Sequence, residues 1–237
     1  MYYQVAPEVF EKLPAACFGA VAVRGLDNTR RIEELEQLLQ ENIKACEAYF
    51  ADKKPKETPD ILPYREAFRT LGINPNKFLC SIEALLTRIA KGKGFPCINA
   101  AVDLGNAISI GHRLPIGAHD IASLEGGLEV RPARAGDTFV AFGETEEETP
   151  DEGEIIYASG SQVRTRRWTW RQSERGKITE ETKAILFPID GFSDVNQEEV
   201  HKAADELIDL LHRYFSDGIQ IEVGYVSKEQ PRFEFFK

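Results

Sequence analysis

Apolar residues recur along this chain in two rhythms, and the change from one to the other divides it. Cys17 to Gly25 (CFGAVAVRG) is a short, nearly continuous apolar run closed by glycine, which predicts a buried strand. From Arg30 to Phe50 the positions Ile32, Leu35, Leu38, Leu39, Ile43 and Cys46 repeat at helical spacing and predict an amphipathic helix. A second helix is predicted over Asn76 to Ala90, with Phe78, Ile82, Leu85, Leu86 and Ile89 inward. The turn Gly72-Ile73-Asn74-Pro75 starts it, and Gly92 and Gly94 end it. Between the helices, Asp52 to Pro63 holds three prolines and alternating charge and reads as a surface connection.

Beyond residue 120 the period becomes two. Leu128–Arg131, Thr138–Phe142, Glu154–Ala158, Val163–Trp170 and Ala184–Ile189 are predicted strands separated by glycine-bearing turns. Asn196–Phe215 is predicted as a terminal helix with Val200, Ala203, Ala204, Leu207, Leu211 and Tyr214 buried. Its Asn196 and Glu199 have capping-box spacing. Ile219–Val226 is a last strand. Helices and strands are segregated, so the fold class is α+β, a mostly antiparallel or mixed sheet with flanking helices. One domain over 1–237 is expected, with a helical N-terminal part (30–51 and 76–91) and a C-terminal helix and strand (196–226).

Phe95 to Asp120 fits neither rhythm. Asn99, Asp103, Asn106, His112, His119 and Asp120 are set among Ile98, Ala100, Val102, Leu104, Ile108 and Ile110. A buried segment keeps six such side chains only when they are hydrogen-bonded to one another, to backbone or to a ligand, so this segment is the expected floor of a recognition pocket. Trp168 and Trp170, two apart on a predicted strand, would add a flat wall suited to stacking a planar group or a cation.

At 237 residues and 42% hydrophobic content the chain can build a proper core. No run of about 18 apolar residues predicts a membrane span. The start MYYQVAPEVF has no secretory pattern, and Cys17, Cys46, Cys80 and Cys97 lack C-x-x-C spacing, so buried thiols in a cytoplasmic protein are expected. The net charge of −10 opposes non-specific coating of nucleic acid. Arg164, Arg166, Arg167, Arg171, Arg175 and Lys177 nevertheless make a local basic strip, compatible with docking one phosphate-bearing partner.

The common motifs are missing. No P-loop or G-x-G-x-x-G opens a helix, no H-E-x-x-H or C-x-x-C pair is present, and there is no G-x-S-x-G elbow. His201 and His212, about 16 Å apart along one helix, cannot share a metal. No cofactor and no metal site are expected.

The succession REAFRTLGINP (Arg65 to Pro75), then Asn99, Asp103, Asn106 and Asp120, then Thr179-Glu180-Glu181-Thr182, resembles the B3/B4 domain of the phenylalanyl-tRNA synthetase beta subunit and its freestanding relatives, over roughly Phe10 to Val226. That domain is an editing module that hydrolyses tyrosine wrongly esterified to tRNA. The resemblance implies a freestanding, trans-editing aminoacyl-tRNA deacylase with the aminoacylated 3′ end of tRNA as partner and with neither DNA nor membrane; it implies no particular protein partner. It matches V-D-x-x-N to Val102, Asp103 and Asn106. The synthetase's pocket histidine falls on Gly117, with His119 the nearest imidazole, and its tyrosine-reading glutamate falls on Pro188. A site that reads a hydroxyl needs a polar partner for it, and proline offers none, so tyrosine is disfavoured. A non-protein amino acid such as an arginine analogue, canavanine among them, is one alternative.

The family leans on the tRNA's terminal ribose hydroxyl and backbone amides, which suits a chain with no evident nucleophile. Under the resemblance His119, Asp120 and Asn106 are the catalytic candidates. Asn99, Asp103, His112, Gly117, Trp168, Trp170 and Gln172 would contact the substrate, and Arg113, Arg164, Arg166, Arg167 and Arg171 the tRNA. A non-catalytic tRNA- or aminoacyl-binding module is the alternative reading.

Overall fold

The computed structural model describes residues 1–215 and 218–237. In chain order the elements are β1 (Tyr2–Val5), α1 (Pro7–Lys12), β2 (Ala16–Arg24), α2 (Glu33–Tyr49), α3 (Leu62–Thr70), α4 (Ser81–Ala90), α5 (Ala100–His112), β3 (His119–Asp120), β4 (Gly127–Pro132), β5 (Phe139–Val140), β6 (Glu147–Glu148), β7 (Ile155–Ser159), β8 (Gln162–Arg166), β9 (Arg171–Gln172), β10 (Ala184–Phe192), α6 (Gln197–Tyr214), β11 (Gln220–Val226) and β12 (Arg232–Glu234). The link between α6 and β11 through Ser216 and Asp217 lies outside the described residues.

Two sheets carry the molecule. One has six strands in the order β12-β1-β4-β7-β8-β9, and the other has four, β11-β2-β10-β3. Only the β1–β4 pair is parallel in the larger sheet. The smaller sheet is antiparallel, with β10 registered against β2 over nine residues. The fold is thus α+β and mixed, as its segregated pattern predicts. β2 is buried along almost its whole length, because it lies at the centre of its sheet.

Phe95–Asp120 departs most from expectation. Residues 100–112 form α5, a helix apolar on nearly every side because it is buried on nearly every side. Asn99 caps it by accepting the Val102 N–H, and Arg113 ends it in the left-handed region at φ 56°. Gly105 admits Phe187 of β10: a Cβ there would stand 3.4 Å from that ring.

The expected strand Val163–Trp170 is also corrected. β8 stops at Arg166, and Arg167 and Trp168 both take left-handed backbone, φ 46° and 58°. Such conformations cost non-glycine residues on the order of 1 kcal/mol or more each. Here the turn is held by Arg167 N–H on Glu154 Oε1 (2.8 Å) and Trp168 N–H on the Ile155 carbonyl (2.6 Å).

REAFRTLGINP builds a structural joint. Arg65 is buried and donates to the Pro75 carbonyl, to Asn76 Oδ1 and to Glu83, fixing α3 and the turn against α4. The expected Asn196 cap is not made. Its amide oxygen accepts the Phe192 N–H and its nitrogen donates to Tyr64 Oη, so it ties β10 to α3 instead. Cys17, Cys46 and Cys80 are buried free thiols, and Cys97 is exposed. Among the described residues no helix is long and apolar enough to cross a membrane.

Candidate functional site

A cavity of about 70 Å³ lies where the two sheets meet. The larger sheet supplies Tyr157 (β7), Thr165 (β8) and Gln172 (β9), with Trp168, Thr169 and Trp170 from the strained turn. The smaller sheet supplies His119 (β3), Pro188 and Asp190 (β10). Pro115, Ile116 and Gly117 close it from the segment between α5 and β3. We call it the inner chamber. A larger cavity of about 340 Å³ shares its wall of Ile116, Gly117 and Gln172. This vestibule is mostly apolar, lined by Leu85, Phe95, Val102 and Ile178, with Asn106, Arg88 and Lys177 as polar members. Phe142 and Ile98 on its wall are more than half exposed.

Asp190 of the chamber is buried, 2% exposed. Its Oδ1 accepts from Tyr157 Oη at 2.7 Å and from Trp168 Nε1 at 2.6 Å, while the Tyr3 hydroxyl lies 3.2 Å from that of Tyr157. Burial pushes the Asp190 carboxyl up to about 7, against those two hydrogen bonds, which pull it down. His119 is equally buried and stacks on Tyr157, ring centroids 5.8 Å apart. Burial, aided by the charge of Arg164, pushes its imidazole down to about 3, so the ring is neutral at physiological pH.

Gly117 sits against this histidine. A Cβ there would stand 3.1 Å from His119 Nε2 and 3.1 Å from Pro188 Cγ, and the Gly117 N–H donates to the Pro188 carbonyl at 2.9 Å. The space beside Gly117 is therefore already occupied by His119 and Pro188.

Of the residues singled out in the sequence, the fold brings Gly117, His119, Trp168, Trp170 and Gln172 to the inner chamber and Asn106 to the vestibule. Trp168 is fully buried rather than a stacking wall on a strand. Trp170 packs on Phe78 at 4.8 Å under the Arg167 guanidinium. Gln172 is held by its bond to the Ala118 carbonyl.

The remaining candidates are elsewhere. Asn99 and Asp103 line a different cavity of about 220 Å³; Asn99 caps α5 and Asp103 accepts the Ile98 N–H. Asp120 caps the turn of residues 121–123 through Ala122 N–H and lines neither chamber nor vestibule. His112 is clasped at 2.6 Å by Glu199 and by Glu206 of α6, and Arg113 pairs with Asp60 over Tyr49.

The arginine strip is likewise corrected. Arg164 is 1% exposed and donates to the Ser123 carbonyl. Arg166 is buried and bonds Glu154 and Glu148. Arg167 pairs with Asp151, Arg171 with Glu144 and Arg175 with Glu147. The acidic run 144–154 folds back over β8 and β9 and pairs with Arg166, Arg167, Arg171 and Arg175, of which Arg171 and Arg175 stay partly exposed.

Asp190, Tyr157 and Thr169 were missed by the sequence reading. For Asp190 a signal existed: it is an acid inside the apolar run Phe187-Pro188-Ile189-Asp190-Gly191-Phe192, and period two puts it on the same strand face as Pro188.

The B3/4 domain family matches residues 63–216, well over half of the chain, and the chain belongs to that family. Among solved structures it is similar to an N-terminal fragment of the phenylalanyl-tRNA synthetase beta-subunit from Pyrococcus horikoshii, at 14% identity and a TM-score of 0.48. That match covers 92% of this chain and 49% of the fragment, so the chain spans about half the length of that relative. No curated protein matches it.

Proposed function

We propose that this protein is an aminoacyl-tRNA deacylase acting in trans. The aminoacyl group would enter the inner chamber, and the terminal adenosine of tRNA would occupy the vestibule. The observation that carries this reading is the pairing of a small, polar-ended chamber with a larger apolar cavity across the Gly117–Gln172 wall, in a B3/4-family chain.

The ester of an aminoacyl-tRNA is activated, so placing a water and stabilising the developing oxyanion suffice. The water oxygen adds to the carbonyl carbon, the bond to the ribose oxygen breaks, and the proton leaves with the ribose hydroxyl. Neutral His119 is a weak base, suited to accepting a hydrogen bond from the attacking water rather than to holding its proton. Gln172 and Asn106, on the wall and in the vestibule, are amide donors within the same space. Arg164 and Arg166 are buried and do not offer phosphate contacts. The exposed Arg88 lines the vestibule, Lys91 and Lys93 follow it in the chain before Phe95, and these three would be the contacts for the acceptor strand. A side chain such as that of an arginine analogue is within the range of acyl groups the chamber would take.

The weakness of His119 as a base favours one second reading, an aminoacyl-tRNA-binding module without turnover. Deacylation of a panel of mischarged tRNAs by wild type and His119→Ala separates the two. The deacylase reading expects hydrolysis of at least one ester and a drop in kcat/KM on the order of 10²-fold in the variant. Binding with no hydrolysis of any ester by the wild type would establish the module instead.

A further inference from the structure

Three polar residues of the inner chamber keep hydrogen-bonding capacity that is unused among the described residues. Asp190 Oδ1 takes two donors, but Oδ2 has no hydrogen-bond partner among the described residues. Thr169, 6% exposed, has a buried Oγ1 without a partner. His119 makes no side-chain hydrogen bond among the described residues. All three line the same cavity. A buried polar atom is rarely left without a partner in native proteins, and the Thr169 hydroxyl, beside the unused hydrogen-bonding capacity of Asp190 and His119 on the same cavity, points to a ligand that completes it.

The chemistry of that ligand follows from what is offered. Asp190 Oδ2 is an acceptor. Thr169 Oγ1 accepts as well as donates. The imidazole of His119 is neutral. Asp190 is the one carboxyl among the residues lining the chamber, and no lysine or arginine is among them; the charge of Arg164 reaches His119 from outside that lining. A buried carboxylate without a counter-charge is costly, whereas one met by a cation with several N–H groups has both its charge and its lone pairs answered.

We propose that the inner chamber is a specificity pocket for a cationic side-chain end, guanidino or amino, and that Asp190 and Thr169 are the residues that select it. Cavity size suits such an end, since about 70 Å³ admits a group of a few heavy atoms but no large ring system. The strain stored at Arg167 and Trp168 serves the same pocket: it brings the indole N–H onto Asp190 Oδ1, which fixes the carboxylate and leaves Oδ2 for the ligand. As a statement about substrate class the inference rests on the aminoacyl reading of the chamber. Its test does not use turnover.

Calorimetric titration of the full chain with methylguanidinium, methylammonium, neutral methylurea and phenol reads the preference directly. The proposal expects one of the two cations to bind at least tenfold more tightly than methylurea or phenol, and the better cation distinguishes a guanidino from an amino substrate. Asp190→Asn, which keeps the shape and the Oδ1 acceptor, should abolish that preference, and Thr169→Val should weaken cation binding several-fold. Thermal unfolding of both variants checks that they fold. Equal binding of cations and neutral probes, no binding of any probe, or an unchanged preference in Asp190→Asn would overturn it. Cation binding in a protein that hydrolyses no tRNA ester would keep the pocket and remove the deacylase. Hydrolysis with no cation preference would do the reverse.

Discussion

Asp190 and His119 both depart from their ordinary ionisation, in opposite senses, and the consequences for stability oppose each other. The Asp190 carboxyl sits at about 7 in the folded protein against an ordinary 3.8, so the folded chain holds the extra proton and stability falls as pH rises between those values. The His119 imidazole sits at about 3 against 6.5, so the unfolded chain holds the extra proton and stability rises with pH over that interval. Each slope is about 1.4 kcal/mol per pH unit at its steepest, and they nearly cancel between about pH 4 and 6.5. Asp190→Asn removes the falling component. Urea unfolding of variant and wild type from pH 4.5 to 7.5 should show the variant gaining relative stability as pH rises to about 7 and no further. Parallel curves would mean that Asp190 is not a buried titrating acid. Gly117→Ala makes a complementary prediction. Its Cβ would press on His119 Nε2 and Pro188, so hydrolysis should fall tenfold or more with a stability loss of only about 1 kcal/mol. Activity at the wild-type level would show that the histidine's placement is immaterial.

Periodicity reveals elements well and special residues poorly. β2, α2, β7, β10 and α6 follow the apolar pattern to within a few residues, because each presents one buried face or two to the core. α5 escaped because a helix buried all round has no polar face for periodicity to find. The turn after β8 escaped because Arg167 and Trp168 adopt a glycine-like backbone with no glycine to announce it. The site shares that obscurity. His119, Gly117, Gln172 and the tryptophans were legible by type, but Asp190 lay inside a run that reads as plain strand. His112 shows the same limit: polar in an apolar stretch, it proves to be a clasp between α5 and α6. His112→Ala should destabilise the protein by roughly 1–2 kcal/mol, a range lowered for the partial exposure of both carboxylates. His212→Ala, on the exposed face of α6, should change stability by less than about 0.5 kcal/mol. Equal effects in chemical denaturation would show that the clasp carries no weight.

At the scale of the molecule, a net charge of −10 and an arginine strip largely engaged in ion pairs leave few places for a polyanion. Arg88 on the vestibule wall, with Lys91 and Lys93 after it in the chain, is the place the proposed function requires. Lys91→Ala with Lys93→Ala should lower the salt dependence of tRNA binding by about 0.7 in log–log slope per charge removed, while Arg171→Ala leaves it unchanged. The opposite ranking, read by filter binding across a salt series, would return the contact to the β8–β9 strip. The most direct measurement of the central claim is incubation of the protein with a complete pool of aminoacylated tRNAs, including deliberately mischarged ones, followed by identification of each ester that disappears. The account predicts selective loss of one class of aminoacyl ester, one with a cationic side-chain end, while esters of neutral and acidic amino acids persist. A pool that remains intact at stoichiometric protein would contradict it.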